Sequence, residues 1–410
     1  MGKNGKFGKD YGKVVGKDHP GRPGWKGPGF TKKTELKPKK AKPGEERELA
    51  MNPKESLVPV KLQQLLLNIF RDTFSGVIDS DDFRQLLQDV KGALYDRDFS
   101  RAFEKEEYLE VYSARWSPSR SLCYASVLLD LQEHFGELLP RDGDAQSEVD
   151  SKLAIDSPST TSFRPKTRVV SIGGGAAEIV AFGGFLKHRT TPSATGTTPE
   201  SADEAMASLT LSDSKQEIEL FLVDTASWAN VVSKLQTGLT TPPPISKYAS
   251  AAAKEANSAL IRPEDFTAKF LEHDVFAMTQ TDLDNLFGTK PVLVTLFFTL
   301  NELYTASISK TTAFLLKITS LLPSGSLLLV VDSPGSYSET KVGTEEKRYP
   351  MKFLLDHTLI ETQKSGGKES VPDWVKVYSE DSQWFRLGEN LKYPIQLENM
   401  RYQVHLYRRS

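Results

Sequence analysis

Two spacings of apolar residues divide this chain. From residue 57 to about 140 they fall three and four apart; from 167 onward they gather in short β-branched runs. Val60, Leu62, Leu65, Leu66, Ile69 and Phe70 form a helix-period stripe over residues 57–74. A second helix carries Phe83, Leu86, Leu87, Val90 and Leu94, with Ser80 as its cap, and a third element covers 99–111. Ser117 followed by Pro118 reads as an N-cap and first-turn proline. The helix they open runs through Leu122, Tyr124, Val127, Leu128 and Leu131, and Cys123 inside it reads as a core thiol.

The second part alternates strands with helices. Strand runs lie at 169–172, 218–223, 269–272 (leaving through His273 and Asp274), 291–300 and 326–331, with helical stretches at 176–182, 228–235 and 305–322. Two alternating runs, 391–397 and 401–407, read as an antiparallel hairpin at the sheet edge. Residues 142–165 form a polar linker, and the Thr/Ser/Pro-rich stretch from 190 reads as an insertion. The run TTPPP at 240–244 interrupts the helix pattern within a second insertion. The expected fold is a doubly wound α/β sheet of seven strands with an antiparallel C-terminal hairpin. A helical region at 57–140 precedes a domain at 166–410, with insertions near 190–210 and 236–259.

The chain is organised around residues 167–184, TRVVSIGGGAAEIVAFGG. Val169, Val170 and Ile172 suit a buried strand, Gly173-Gly174-Gly175 a sharp turn, and 176–182 a helix. The triplet alone also fits a packing turn. A dinucleotide site needs a third glycine where Glu178 stands, and that carboxylate occupies the place of a pyrophosphate at the helix start. A nucleoside cofactor with a sulfonium centre and no phosphate remains compatible.

Composition sharpens this. Hydrophobic residues make up 38% and charged residues 26%, which fits a soluble protein with ordered and disordered parts. The net charge of −2 hides an asymmetry, because residues 1–43 hold 12 Lys and one Arg against three acids. With glycines interleaved, residues 1–50 are expected to be a disordered basic tail: an arm that seeks RNA phosphates, or a solubilising and targeting extension. Lys37, Lys39, Lys40 and Lys42 suit nuclear import. A single cysteine excludes an intrachain disulfide framework. No run reaches membrane-spanning length and no secretory signal is legible, so a soluble intracellular protein is expected. No metal site is expected.

Ligands of open α/β sheets bind beyond the carboxyl ends of the strands. There the chain sets Gly173 and Gly175, Asp224, Asp274, Asn301 with Glu302, and Asp332 with Ser333. Acids at consecutive strand ends suit a cation better than a phosphate. Asp224 can accept two ribose hydroxyls and Asp274 an adenine amino group, although each also fits an ordinary strand-end cap. Arg115, Trp116 and Arg120 read as a lid, an RNA contact or a cover for the sheet edge.

The segments VVSIGGGAAEIVAFGGFL, LVDTASWANVVSKL, TLFFTLNELY and VVDSPGSYSE resemble the fungal 25S ribosomal RNA (uridine-N3)-methyltransferases, the subgroup acting on uridine 2843. YSARWSPSRSLCYASVL resembles that family's upstream motif, and RYPMKFLLDHTLI with DSQWFRL its downstream part; the likeness spans about 57–410. It implies the methyltransferase fold, S-adenosyl-L-methionine as donor, the 25S rRNA or a pre-ribosomal particle as partner, and work in the nucleolus; a monomer is expected. The acid many methyltransferases carry before the glycine turn is replaced by Ser171, so backbone groups together with Glu178 or Arg120 are candidates to hold the donor's methionine end.

The N3 nitrogen of uridine must lose a proton before it attacks, so a base is expected beside it. Glu302 is the candidate, Asn301 would orient the ring carbonyls, Tyr304 would stack on the flipped base or start the next helix's core, and Ser333, Arg115 and Arg120 would contact substrate. Glu302 also suits a helix start without chemistry. Two rivals remain: a small-molecule or protein methyltransferase, and a non-catalytic ribosome-assembly factor.

Overall fold

The computed structural model describes residues 56–139, 166–190, 217–334, 337–342, 345–361 and 372–410. The basic tail, the 142–165 linker and the insertion from 191 lie outside the described residues. Residues 53–410 form one compact unit.

In chain order the main elements are α1 (Val60–Thr73), α2 (Phe83–Tyr95), α3 (Glu106–Arg115), α4 (Ser117–Asp130), β1 (Lys166–Ile172), α5 (Ala176–Thr190), β2 (Glu217–Asp224), α6 (Ala229–Thr240) and β3 (Phe266–Glu272). There follow α7 (Gln280–Phe287), β4 (Leu293–Phe297), α8 (Leu300–Ala306), α9 (Ile308–Leu321), β5 (Leu327–Asp332), β6 (Tyr337–Val342), β7 (Glu345–Pro350), α10 (Met351–Asp356), β8 (Trp374–Phe385) and β9 (Met400–Arg409). Seven strands make one sheet in the order β3-β2-β1-β4-β5-β9-β8, while β6 and β7 pair separately. Strands β1 to β5 run parallel, and β9 enters antiparallel between β5 and β8. This is the expected doubly wound sheet with its late antiparallel strand. Its order reverses between β1 and β4, which opens the crevice at their carboxyl ends.

Successive strand residues point to opposite faces, and both faces are covered, so the strands read as continuous apolar runs. Val169, Leu222 and Leu293 join a core with Leu66 and Phe70 of α1, Leu128 of α4 and Phe182 of α5. Val170, Ile172 and Leu296 face Phe287 of α7, Ile318 of α9 and Leu355 of α10. The helical region is therefore one cover of the sheet, and Cys123 is fully buried in it, its thiol pushed far from ionisation by burial.

Several boundaries depart from the sequence expectation. Ser80 does not cap α2: its hydroxyl donates to the Val77 carbonyl, closing the preceding turn. The 99–111 element is two helices, because Phe103 leaves the helical path to pack against Tyr112 and Trp228. Trp116, not Ser117, is the N-cap of α4, which places Pro118 in the first turn where its missing N–H costs nothing. β4 stops at Phe297 because Phe298 takes φ +54°, and the expected 305–322 helix breaks at Ser307, whose hydroxyl accepts the Lys310 N–H. Residues 236–240 belong to α6 and not to an insertion: Leu239 is buried, and the Gln236 side chain accepts the Ala268 N–H.

The C-terminal hairpin exists with a different first strand. β9 pairs with β8, whereas 391–397 is irregular. Pro394 lacks a ladder donor, and the segment instead lies against the helical region, with Tyr393 donating to the Ala114 carbonyl and the Lys392 N–H to Gln64. Among the described residues no helix is long and apolar enough to cross a membrane.

Candidate active site

β1 ends in the glycine turn. Gly173 has φ +70° and its N–H donates to the Val223 carbonyl at 2.7 Å, which locks the turn to the end of β2. A Cβ there would stand 2.3 Å from Thr299 Oγ1; at Gly174 it would meet Ser171 Oγ at 2.6 Å, and at Gly175 the Trp228 ring at 3.1 Å. The triplet thus permits close packing by protein groups on its side-chain side, a role that spacing alone leaves open. Ser171 is buried and accepts the Thr295 hydroxyl at 3.0 Å.

Glu178 occupies the third position of α5 and folds back, its Oε2 accepting the Gly175 N–H at 2.8 Å. That is the carboxylate half of a capping box, and it removes an N–H that a pyrophosphate would need. The side chain is 5% exposed, and burial pushes its carboxyl up to about 7 despite hydrogen bonds from Gly175 and its own N–H and the nearby Arg120 charge. At the end of β2, Asp224 accepts the Ala226 N–H at 2.8 Å and the Trp228 indole N–H; burial pushes it up to about 6. At the end of β5, Asp332 is buried and accepts the Asn301 N–H at 3.0 Å and the Ser333 N–H at 2.7 Å. Burial pushes it, too, up to about 6.

Arg120 of α4 is the cation among these acids. It donates to the Tyr112 hydroxyl, and its Cζ lies 5.4 Å from the Tyr112 ring and 5.3 Å from the Phe298 ring. Burial opposes its charge, but Tyr112, Tyr124, Glu178 and Asp332 outweigh that and hold it more firmly protonated than usual. Phe103, Tyr112, Trp116 and Trp228 pack edge-to-face or tilted into an aromatic wall beside it. Three buried or partly buried carboxylates against one guanidinium make a site short of positive charge. Asn301 Oδ1 adds a buried acceptor with no partner among the described residues.

Glu302 Oε2 accepts from Arg97 at 2.6 Å, with about a third of its side chain (35%) exposed. Arg97 itself sits at φ +57° in the turn after α2. Arg115 pairs with Glu398, stacks on Trp116 at 5.6 Å, and lines with Arg120, Phe298, Met400 and Arg401 a cleft of about 230 Å³. One expectation needs correction. Tyr304 is 1% exposed and packs in the core under α8, so its ring is not offered to a base. Asp274 is exposed and accepts the Phe276 N–H at 2.9 Å as a turn cap, outside the acid cluster. Ser333 is exposed; its N–H serves Asp332 and its carbonyl accepts from Gln403.

Tyr112, Trp228, Phe298 and Arg97 were not among the residues expected at the site. Tyr112 stands in the YSARWSPSR segment and Trp228 opens the helix after β2, so both were within reach of a reading that asked what faces the glycine turn. Arg97 and the backbone twist at Phe298 leave no local signal.

A family described as SAM-dependent methyltransferases matches residues 70–408. The 25S rRNA (uridine(2843)-N(3))-methyltransferase of Saccharomyces cerevisiae is 30% identical over 373 residues, covering 88% of each chain. Among solved structures, an O-methyltransferase family protein from Burkholderia thailandensis aligns over 80% of this chain and 70% of its own, at 10% identity and a TM-score of 0.31. The antibiotic-resistance methyltransferase Kmr aligns over 59% and 86%, at 12% identity and a TM-score of 0.29.

Proposed function

Since this chain belongs to the family of SAM-dependent methyltransferases, we propose that it methylates N3 of a uridine in large-subunit ribosomal RNA, the equivalent of yeast uridine 2843. The observation that carries the target is the 30% identity running through 88% of both chains. The site fits the donor: it is short of positive charge around Glu178, Asp224 and Asp332, and it holds Asn301 Oδ1, which has no partner among the described residues. When bound, S-adenosylmethionine supplies an electrophilic methyl group on a positively charged sulfur.

Glu178 and Asp224 take the donor's positive and hydroxyl groups, and Arg120 its carboxylate. The aromatic wall keeps water from them. Asn301, held by Asp332, orients the uracil carbonyls, and Glu302 takes the N3 proton, its carboxylate aimed by Arg97. Replacing Glu302 with Gln is expected to slow single-turnover methylation about 10²–10⁴-fold with donor and RNA affinities nearly intact. Higher pH should restore part of the rate. A rate within threefold of wild type at saturating donor and rRNA would retire that role.

The assembled site belongs to the nucleolus, on pre-ribosomal particles, and acts as a monomer. Imaging of the tagged protein and sedimentation of the purified chain test those two points. Labelled methyl transfer offered in parallel to whole rRNA, protein and metabolite pools tests the substrate class, and label in any pool but rRNA would refute it.

A further inference from the structure

We propose that Trp384, Arg386 and Arg401 form a stacking platform for a single-stranded RNA base next to the target nucleotide. The inference rests on the rRNA reading above and adds to it a surface outside the acid cluster. Trp384 stands near the end of β8 and is 45% exposed. The guanidinium carbons of Arg386 and Arg401 lie 5.8 and 5.9 Å from that ring. Arg401 is Trp384's partner across β8 and β9, and its Nε donates to Ser382 at 2.8 Å, which fixes the guanidinium beside the ring. Neither arginine is held in an ion pair among the described residues, so both charges stay available to phosphate.

Topology puts this platform where a substrate would arrive. β9 runs antiparallel to β5 with Gln403 opposite Asp332, so Met400, Arg401 and the end of β8 lie at the site end of the sheet. Arg401 also lines the cleft that holds Arg120 and Phe298, and so joins platform to site. An exposed indole with two guanidinium groups outside any ion pair among the described residues matches a base and its phosphates, because any base has a face to stack and single strands leave it free. Extruding a uridine separates it from its neighbours, and a platform beside the cleft would hold one of them.

The test uses the full chain and a fluorescein-labelled ten-nucleotide oligouridine, with affinity read by anisotropy. Trp384→Ala should weaken binding about 5- to 150-fold, and Trp384→Phe should recover most of the loss. Arg401→Ala should lower the log–log salt slope by roughly 0.7. Donor affinity and a duplex of equal length should respond little to Trp384→Ala. Trp384→Ala within twofold of wild type for the oligonucleotide, while wild type still methylates rRNA, overturns the platform and leaves this surface to a protein partner. A wild-type chain that neither binds the oligonucleotide nor methylates rRNA overturns the rRNA reading itself.

Discussion

If Glu178 holds the donor as proposed, donor binding depends on pH. Its ordinary carboxyl value of 4.5 is raised to about 7 by burial, so near neutrality the ligand-free site holds a partly protonated acid. The folded value lies above the unfolded one. The associated stability is therefore complete below about 4.5 and is lost as pH rises through about 7. A cationic donor reverses this by favouring the ionised carboxylate. If only that form takes the donor, the apparent Kd at pH 6 exceeds its high-pH limit about tenfold, and at pH 7.5 by only about 1.3-fold. Asp224 and Asp332, each raised to about 6, steepen the acid end. Isothermal titration between pH 6 and 7.5 reads the slope, and buffers of different ionisation enthalpy should count about half a proton released per donor at pH 7. Glu178→Gln keeps an acceptor for Gly175 but no charge, so affinity at pH 7.5 should fall about tenfold or more and most of the slope should vanish. Equal affinity at pH 6 and 7.5 in wild type, or an undiminished slope in the variant, would refute the reasoning.

Other outcomes follow from the same structure. Gly175→Asp pushes against the Trp228 ring and through it disturbs Asp224; donor binding should be lost in a protein that still folds by circular dichroism, and unchanged affinity would unseat the turn from the site. Removing residues 1–43 should lower the salt slope of rRNA binding by roughly 0.7–0.9 per lost phosphate contact, with donor affinity unmoved; equal slopes would leave the tail a targeting role. Trp374, fully buried with its indole donating to Thr319 at 2.8 Å, predicts that Trp374→Phe costs about 1–3 kcal/mol in denaturant unfolding, and a loss near zero would contradict that packing.

The sheet was legible because its strands are buried on both faces and so stand out as apolar runs; the parallel direction of β1 to β5 followed from the crossover helices between them. Alternation misled at 391–397, where the period is that of a strand but Pro394 cannot serve a ladder and the true partner, β8, carries polar residues on an open edge. The acids at the strand ends were found by topology, and their spread was not. Asp274 and Asp332 occupy equivalent places in the pattern, yet only Asp332 is roofed by its neighbours. What fills the glycine turn comes from Thr299 and Trp228, far along the chain, and Glu302's partner Arg97 comes from the helical region. Such pairings arise only when separate elements pack. Local pattern could therefore name the residues at the site's rim but not their partners.

The central claim is methylation of one uridine nitrogen in large-subunit rRNA. Its most direct test is quantitative mass spectrometry of N3-methyluridine in the rRNA fragment equivalent to yeast position 2843, taken from cells without this protein. The modified nucleoside is expected to disappear there, to return with the wild-type chain, and to stay absent or strongly reduced with Glu302→Gln. Full modification in cells lacking the protein would contradict it.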